Sequence, residues 1–571
     1  MANKIESGKL YIKEIFNKWY RIPEYQRPYV WGKDQINDLL DDIAFAQQND
    51  KDAEYFLGSI VFQSDDESIG VDLLDGQQRL TTLFLITAVI RDLTTNQKLK
   101  SSCQKIIFQE GNEFEGIPER IRIIFDIRDT VKDFVEKNIK DDNKLNNIEM
   151  LKNELKKTKD LSVKNMINAI FEIQDYFGRK DTINVEDFFK YLNNKVLMIY
   201  VSSSSLEDAF KLFTVMNDRG VKLRNSDILK AMNLKEVLEP EREKYAKEWE
   251  EIENYFEEDF DVFLSHLRAI LVKEKARKNL LDEFEENIYF SKGTKKGTHP
   301  LLGKGQNTFE FIKTYQKNYD YLFNHDHSNN GQDYRFDNLI SIMKSALPAD
   351  LWIAPLLNFY DKFQDKKLLE FLEKLDNKFS HDWIIGLTPT SRIENINNII
   401  KKIDELDDVD ILLKDNIFDI KCDDFIKTVN GIIYGKRFTK YILYKLDYLY
   451  GNTDKINVPN TITVEHILPQ NPKDDSQWKI DFTDKKREEW THKIGNLVLI
   501  SRRKNSSQGR KEFKEKKQKY FEKNIESFKN SLRIMNSYSK WELEDIEKNQ
   551  KEVLLKICNH YCNKDECKSI E

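Results

Sequence analysis

In a chain with only eight histidines, one stands beside an acid at the end of an apolar run, in VEHILPQNP, Val464 to Pro472. Hydrolysis of a phosphodiester needs a group that takes a proton from water near neutral pH, and histidine suits that task. It also needs positive charge near the departing oxygen, which a divalent cation supplies. Magnesium takes a few hard oxygen ligands and keeps several waters, so a carboxylate at Glu465 and an amide oxygen at Asn505 suffice to hold it. Asn496 is spaced to accept the second ring N–H of His466 and fix its tautomer. A histidine packed at a strand end is the plain reading of His466 alone; the acid, the two asparagines and the nearby basic residues favour chemistry.

A second group of polar residues lies in GVDLLDGQQRLTTL, Gly70 to Leu83. A helix that starts directly after a glycine turn presents free backbone N–H groups to an anion. Arg79 adds a guanidinium fork, Thr81 and Thr82 add hydroxyls, and Asp75 can coordinate a metal or orient a water. An ordinary helix start is the competing reading, and the Walker pattern is absent. Upstream, Tyr25, Tyr29 and Trp31 in YRIPEYQRPYVW are spaced either to stack on a base or to fill a core. A third cluster, Cys558, His560, Cys562 and Cys567, has the residue types for zinc without a standard spacing, and otherwise reads as a helix end with a frayed tail. His325 and His327 in NHDHSNNGQD read as part of a solvated loop rather than a metal site.

The elements that position these residues follow from periodicity. Thr461 to Val464 alternate as a strand that delivers Glu465 and His466 at its end. NLVLIS, Asn496 to Ser501, is a second strand. RKEFKEKKQKYF, Arg510 to Phe521, is a basic amphipathic helix entered through the turn at Ser506 to Gly509. The order is strand, loop, strand, helix. Residues 501 to 523 hold ten Lys/Arg against three acids, a local phosphate-binding face on a chain whose net charge is -7. Its expected DNA contacts are Arg502, Arg503, Lys504, Arg510, Lys511, Lys514 and Lys517. In the N-terminal part, FLGSIVFQ (Phe56 to Gln63), VDLL (Val71 to Leu74) and VLMIYVS (Val196 to Ser202) read as strands. Leu80 to Leu93 reads as a buried helix, and SLEDAFKLFTVMNDRG (Ser205 to Gly220) as a helix with a capping box and a glycine stop.

The chain has 571 residues, 40% apolar and 33% charged, too long for one core and suited to two to four domains. It divides into a mixed α/β part, 1–235, a helical part, 236–430, and a part where strands and a basic helix return, 431–571. The segment Phe290 to Asn307, rich in glycine and lysine, is a loop. The start MANKIESGKLYIKEIF lacks the apolar core of a signal peptide, and no stretch reaches about 18 apolar residues. Five cysteines do not suggest a disulfide framework. A cytoplasmic home without membrane contact is expected.

Glu465-His466, Asn496 and Asn505 resemble the HNH, or ββα-metal, nuclease module, with Glu where Asp is common and Asn where His is common. The resemblance makes Glu465 and Asn505 metal ligands and His466 the general base, with Mg2+ or another divalent cation such as Mn2+. HxxGNLxL, His492 to Leu499, looks like the subtype found in GmrSD-type restriction enzymes, where His492 touches phosphate or metal or braces the loop. IPxYQRPYxW, DGQQRLTTL and FTVMNDRGVKLRNSDILKAMNL (Phe213 to Leu234) look like the ParB/sulfiredoxin-related N-terminal domain of the same proteins. That implies binding and hydrolysis of a nucleoside triphosphate (GTP, UTP, CTP or ATP) at Asp75, Gly76, Gln77, Gln78 and Arg79. Tyr25, Gln26 and Arg27 are then neighbours, and Asn217 and Arg219 further candidates.

The expected fold is α+β and multidomain: a ParB/sulfiredoxin-like N-terminal domain, a helical middle and a ββα-metal nuclease domain. The function that the resemblance implies is a type IV, modification-dependent restriction endonuclease with both halves on one chain. Its partners are double-stranded DNA, from phage or modified, and the nucleotide, with a homodimer left open. Glucosylated hydroxymethylcytosine and phosphorothioate marks are both compatible with it. Two rivals stand beside it: a modified-DNA sensor with an inactive HNH module, and a nucleotide-controlled toxin that nicks DNA without regard to marks.

Overall fold

The computed structural model describes residues 5–23, 26, 28–63, 70–125, 129–179, 183–203, 224–290, 299–328, 330–451, 453–456, 462–501, 509–521, 528–562, 566–567 and 570. They form two compact units, residues 1–261 with 304–309, and residues 262–303 with 310–571. Helices and strands are mixed, as expected for an α+β chain.

The first unit is built on a six-stranded mixed sheet. Its order is Ile5–Tyr11, Val196–Ser203, Tyr55–Gln63, Val71–Asp75, Tyr20–Ile22 and Ile123–Phe125. Tyr55–Gln63 runs parallel to Val196–Ser203 and antiparallel to Val71–Asp75. Parallel neighbours need a crossover, and here it includes the helices Gln77–Leu93, Gln97–Ile107, Asp129–Asn138, Ile148–Lys157, Leu161–Arg179 and Val185–Lys195. The helix Gln77–Leu93 is buried continuously from Leu80 to Asp92, which its apolar composition on every face requires. The cost of burying Arg91 is offset by full use of its fork. The guanidinium donates to the carbonyls of Ile139 and Asp141, each at 2.8 Å, and to Gln104 Oε1 at 2.7 Å, and it pairs with Asp92. The expected strands at 56–63, 71–74 and 196–202 and the helix at 80–93 are all present. The expected helix at 205–220 lies outside the described residues.

The second unit is mostly helical. Its helices include Arg335–Ala346, Ile353–Phe363, Leu368–Ile384, Pro389–Glu405, Cys422–Asn430 and Thr439–Gly451. A two-stranded antiparallel ribbon, Ile462–His466 with Leu497–Ser501, follows, and then the helices Phe513–Phe521, Lys529–Ser537 and Leu543–Tyr561. The ribbon and these helices share a core of Ile467, Leu468, Trp478, Val498, Ile500, Phe513, Tyr520, Ile534 and Trp541. A buried Asp376–Lys445 pair, 2.6 Å apart and both fully enclosed, is joined by the Tyr441 hydroxyl, which donates its one proton to the Asp376 carboxylate, 2.8 Å from either oxygen, and meets the Tyr561 hydroxyl at 3.1 Å. This polar knot fixes the last helix, Leu543–Tyr561, on the helical layer. No helix among the described residues is long and apolar enough to cross a membrane.

Candidate functional site

The ribbon delivers the acid–histidine pair as its sequence suggests. Leu497 stands opposite His466 and Val498 opposite Glu465. Side chains alternate along a strand, so Glu465 and His466 leave it on opposite faces. Both are nearly enclosed, at 8% and 6% exposure.

On one face His466 Nε2 lies 3.2 Å from His492 Nδ1, so one imidazole donates to the other. The Gln470 amide is 3.3 Å from His466 Nε2. The Tyr434 ring tilts over His466 with centroids 4.2 Å apart and stacks on His492 at 5.3 Å. The backbone N–H groups of Ile433 and Tyr434 both donate to the His492 carbonyl. Burial, reinforced by His492 and Lys516, pushes His466 down to about 3, and burial also lowers His492. Burial thus favours the neutral form of both rings. Tyr434 and Gln470 carried no spacing signal that ties them to His466; the fold brings them there.

Asn496 has a different task from the expected one. Its amide donates to the carbonyls of Leu468 at 3.0 Å and Thr491 at 2.9 Å. Its oxygen accepts from the Leu468 N–H at 2.7 Å and Trp541 Nε1 at 3.2 Å. It therefore binds the segment after His466 to the segment that carries His492, and the His466 ring is held by His492 and Gln470 instead. Gly495 is required beside it. A Cβ there would stand 2.8 Å from the Gln550 Cα, where the Gly495 N–H donates to Gln550 Oε1 and Asn549 Nδ2 donates to the Gly495 carbonyl, each at 2.6 Å.

On the other face Glu465 Oε1 accepts from Lys516 Nζ at 2.6 Å, and the same ammonium donates to the His466 carbonyl at 2.6 Å. Lys516 is fully buried. Burial raises the Glu465 carboxyl and lowers the Lys516 ammonium, and each is the other's main compensation. Glu465 offers a hard carboxylate oxygen of the kind a divalent cation takes, and in this structure the Lys516 ammonium occupies it. Lys516 belongs to the basic stretch, yet its position three residues after Phe513 and four before Tyr520, both buried, marks it as inward-facing. Lys514 and Arg510 are exposed. Lys511 and Lys517 are half-buried, and Lys517 donates to the Tyr538 carbonyl at 2.8 Å. Asn505, Arg502, Arg503 and Lys504 lie outside the described residues.

In the first unit, the strand Val71–Asp75 ends at Asp75, Gly76 turns with φ 89°, and the helix Gln77–Leu93 begins. Only glycine adopts that φ freely. Arg79 lies 3.7 Å from Asp75 and 3.4 Å from the Leu57 carbonyl. Gly58, at φ 125° on the neighbouring strand, gives it room: a Cβ there would fall 2.0 Å from an Arg79 nitrogen. The QRPY segment is bound to this turn. Gln78 accepts from the Val30 N–H at 2.8 Å and donates to the Pro28 carbonyl at 2.9 Å, and Gln26 donates to the Leu74 carbonyl at 2.9 Å. Thr82 turns inward to the Tyr29 hydroxyl at 2.8 Å, and Thr81 is buried too. Tyr29 is a core residue and Trp31 packs against that core. Tyr25, Arg27, Asn217 and Arg219 lie outside the described residues.

The cysteines depart from expectation. Cys422 pairs with Cys562, and Cys558 with Cys567, although the count and spacing suggested no disulfide framework. The Cys422–Cys562 pairing was illegible because the two lie 140 residues apart. His560 is not part of this group: its half-buried ring packs on Tyr448 and Tyr561. Of the two loop histidines, His327 is bound to the Tyr321 carbonyl at 2.9 Å and packs on Phe336, and His325 contacts the Asp320 carbonyl at 3.2 Å.

Comparison with curated proteins finds no match. Two family models match. Residues 9–234 match the N-terminal domain of the GmrSD restriction endonuclease, and residues 419–556 match the C-terminal domain of the GmrSD restriction endonucleases. The two matches together span more than half of the chain in the family's order, and each holds one of the two constellations described above. The chain belongs to the GmrSD restriction endonuclease family.

Proposed function

We propose that this restriction endonuclease is a type IV, modification-dependent DNA endonuclease or nickase of anti-phage defence, acting in the cytoplasm. A ParB/sulfiredoxin-like domain in residues 1–235 binds and hydrolyses a nucleoside triphosphate. A helical region, 236–430, connects it to an HNH domain, 431–571. The observation that carries the nuclease reading is the buried His466, beside Glu465 at the strand end, with its ring nitrogen 3.2 Å from that of the half-buried His492. His466 takes a proton from the attacking water at one ring nitrogen. His492 holds the ring in one orientation, and Asn496 fixes the two loops that carry the histidines. Glu465 and Asn505 hold a divalent cation, which supplies positive charge for the leaving oxygen when bound. The test is His466→Ala with Mg2+ or Mn2+. Plasmid nicking falls by a factor of roughly 100 or more while DNA affinity stays within about twofold. Nicking at the wild-type rate removes His466 as the base. A wild-type chain that binds modified DNA and cuts none, with any metal or nucleotide, supports the sensor reading instead.

The nucleotide site is supported by the left-handed Gly76, the helix start behind it and the Arg79 guanidinium against Gly58. A guanidinium on phosphate contributes about 1.5–3 kcal/mol. Arg79→Ala therefore slows nucleotide hydrolysis by at least tenfold, and nicking keeps its chemistry but changes its response to nucleotide. Hydrolysis at the wild-type rate assigns the nucleotide to another site.

A further inference from the structure

Four of the five cysteines come together in one place in the second unit. Cys558 lies on the helix Leu543–Tyr561, and Cys562 caps its end one turn later, so the two share a face. Cys422 is the first residue of the helix Cys422–Asn430, and Cys567 returns from the segment after the last helix. The sulfurs of Cys422, Cys558 and Cys562 all lie within 4.8 Å of one another, and Cys567 is bonded to Cys558. Four thiolates around a tetrahedral zinc, at about 2.3 Å each, stand roughly 3.8 Å apart. Cys422, Cys558 and Cys567 are buried, with Ile426, Leu555 and Ile570 packed around the group. Three of the four sulfurs are buried and Cys562 is half-buried, the setting of a structural rather than a catalytic zinc, beside an open cavity that Cys422, Ile426 and Ile570 also line.

We propose that Cys422, Cys558, Cys562 and Cys567, in their reduced state, hold one structural Zn2+ as an all-thiolate, four-cysteine site. Where the sulfurs are paired, a dithiol reductant of the cell gives two electrons and two protons to each pair and leaves as its own disulfide. Zinc then displaces the thiol protons and binds four thiolates. Only the reducing setting rests on the reading of the chain as an intracellular nuclease; the sulfur geometry does not.

The site has a consequence for the nuclease frame. The helix that starts at Cys422 ends at Asn430, whose side chain accepts from Gln550 at 2.9 Å. Gln550 and Asn549 hold Gly495, next to Asn496. A metal at the four sulfurs thus ties together the two helices whose far residues brace the loop between His492 and the second strand. It acts on the frame and touches no reacting atom.

The experiment is metal analysis of the full chain purified with a reductant and without chelator. The expected result is about one zinc per chain, retained in the Glu465→Ala and His466→Ala variants and lowered at least about tenfold in Cys422→Ser and in Cys562→Ser. Retention in the first pair separates this metal from the nuclease site. Should the serine variants fail to fold, the wild-type chain still decides. Reconstituted with Co2+, it shows thiolate-to-cobalt charge transfer and tetrahedral ligand-field bands, and a mercurial that titrates four thiols releases the metal. No bound zinc in the wild-type chain purified with reductant overturns the proposal, whether its cysteines are found as free thiols or as two disulfides that resisted reduction. Cobalt spectra without thiolate charge transfer overturn it as well.

Discussion

Lys516 shows how one side chain changes the reading of a basic helix. Counted by composition it is one more phosphate contact; in the fold it is the buried counter-ion of Glu465 and a donor to the His466 backbone. Breaking a buried pair from one side leaves an unpaired charge, at a cost of about 3–5 kcal/mol. Lys516→Met is therefore expected to lower the stability of the second unit by roughly that amount, measured by denaturant unfolding. The added change Glu465→Gln recovers much of the loss, because the orphan charge is gone. If the double variant is no more stable than Lys516→Met, the two residues are not compensating each other. Glu465 and His466 were legible because an acid and a histidine are scarce in strand positions without a reason, and Asn496 because it stands directly before the second strand. What Asn496 does was not, since an amide can hold a ring or a backbone equally well, and the choice was made by Leu468, Thr491 and Trp541 arriving around it. Tyr434 and Gln470 gave no signal at all. The role of Lys516 did leave one, its i, i+3, i+7 register with Phe513 and Tyr520, hidden under the charge count.

At the scale of elements, the strand–loop–strand–helix order and the strand–glycine–helix turn stood in the sequence because each rests on local patterns: alternation, a turn residue, an apolar run. Contacts made over long separations did not. One of them carries a pH dependence. The helix Lys529–Ser537 has no side-chain cap of its own; Asp447, from the helix Thr439–Gly451, accepts from the N–H groups of Lys529 at 3.0 Å and Asn530 at 2.9 Å. Burial pushes this carboxyl up to about 7, whereas the unfolded chain ionises it near pH 3.9. Between about pH 4 and 7 the native state holds a proton that the unfolded state lacks, so this residue makes stability fall as pH rises through that window and level off above it. The slope is about 1.4 kcal/mol per pH unit. In Asp447→Asn that component disappears, and the difference between the two stability curves measured from pH 4 to 8 isolates it. Parallel curves refute the assignment.

For the molecule as a whole, an acidic chain has to present DNA with a surface that its net charge of -7 conceals. Each phosphate neutralised by a cation gives a slope of about -0.9 in log affinity against log salt. Arg510 and Lys514 are exposed, whereas Lys517 is engaged by the Tyr538 carbonyl. Charge reversal of Arg510 and Lys514 together is expected to flatten the slope by about two contacts, and reversal of Lys517 to act on stability more than on the slope. An unchanged slope in the first variant moves the DNA to another surface.

The brace around Gly495 and Asn496 also sets an order in time. The chain leaves the ribosome from its N-terminus at about 5–20 residues per second. His466 is followed by Asn549 and Gln550 only after 83 and 84 more residues. His492 precedes those amides by 57 and 58 residues, so for roughly 3 to 12 seconds of synthesis His466 and His492 both exist without the two amides that hold their loop. On the proposed function, a nascent chain therefore lacks a braced His466–His492 pair until the helix that carries those amides has been made and has docked.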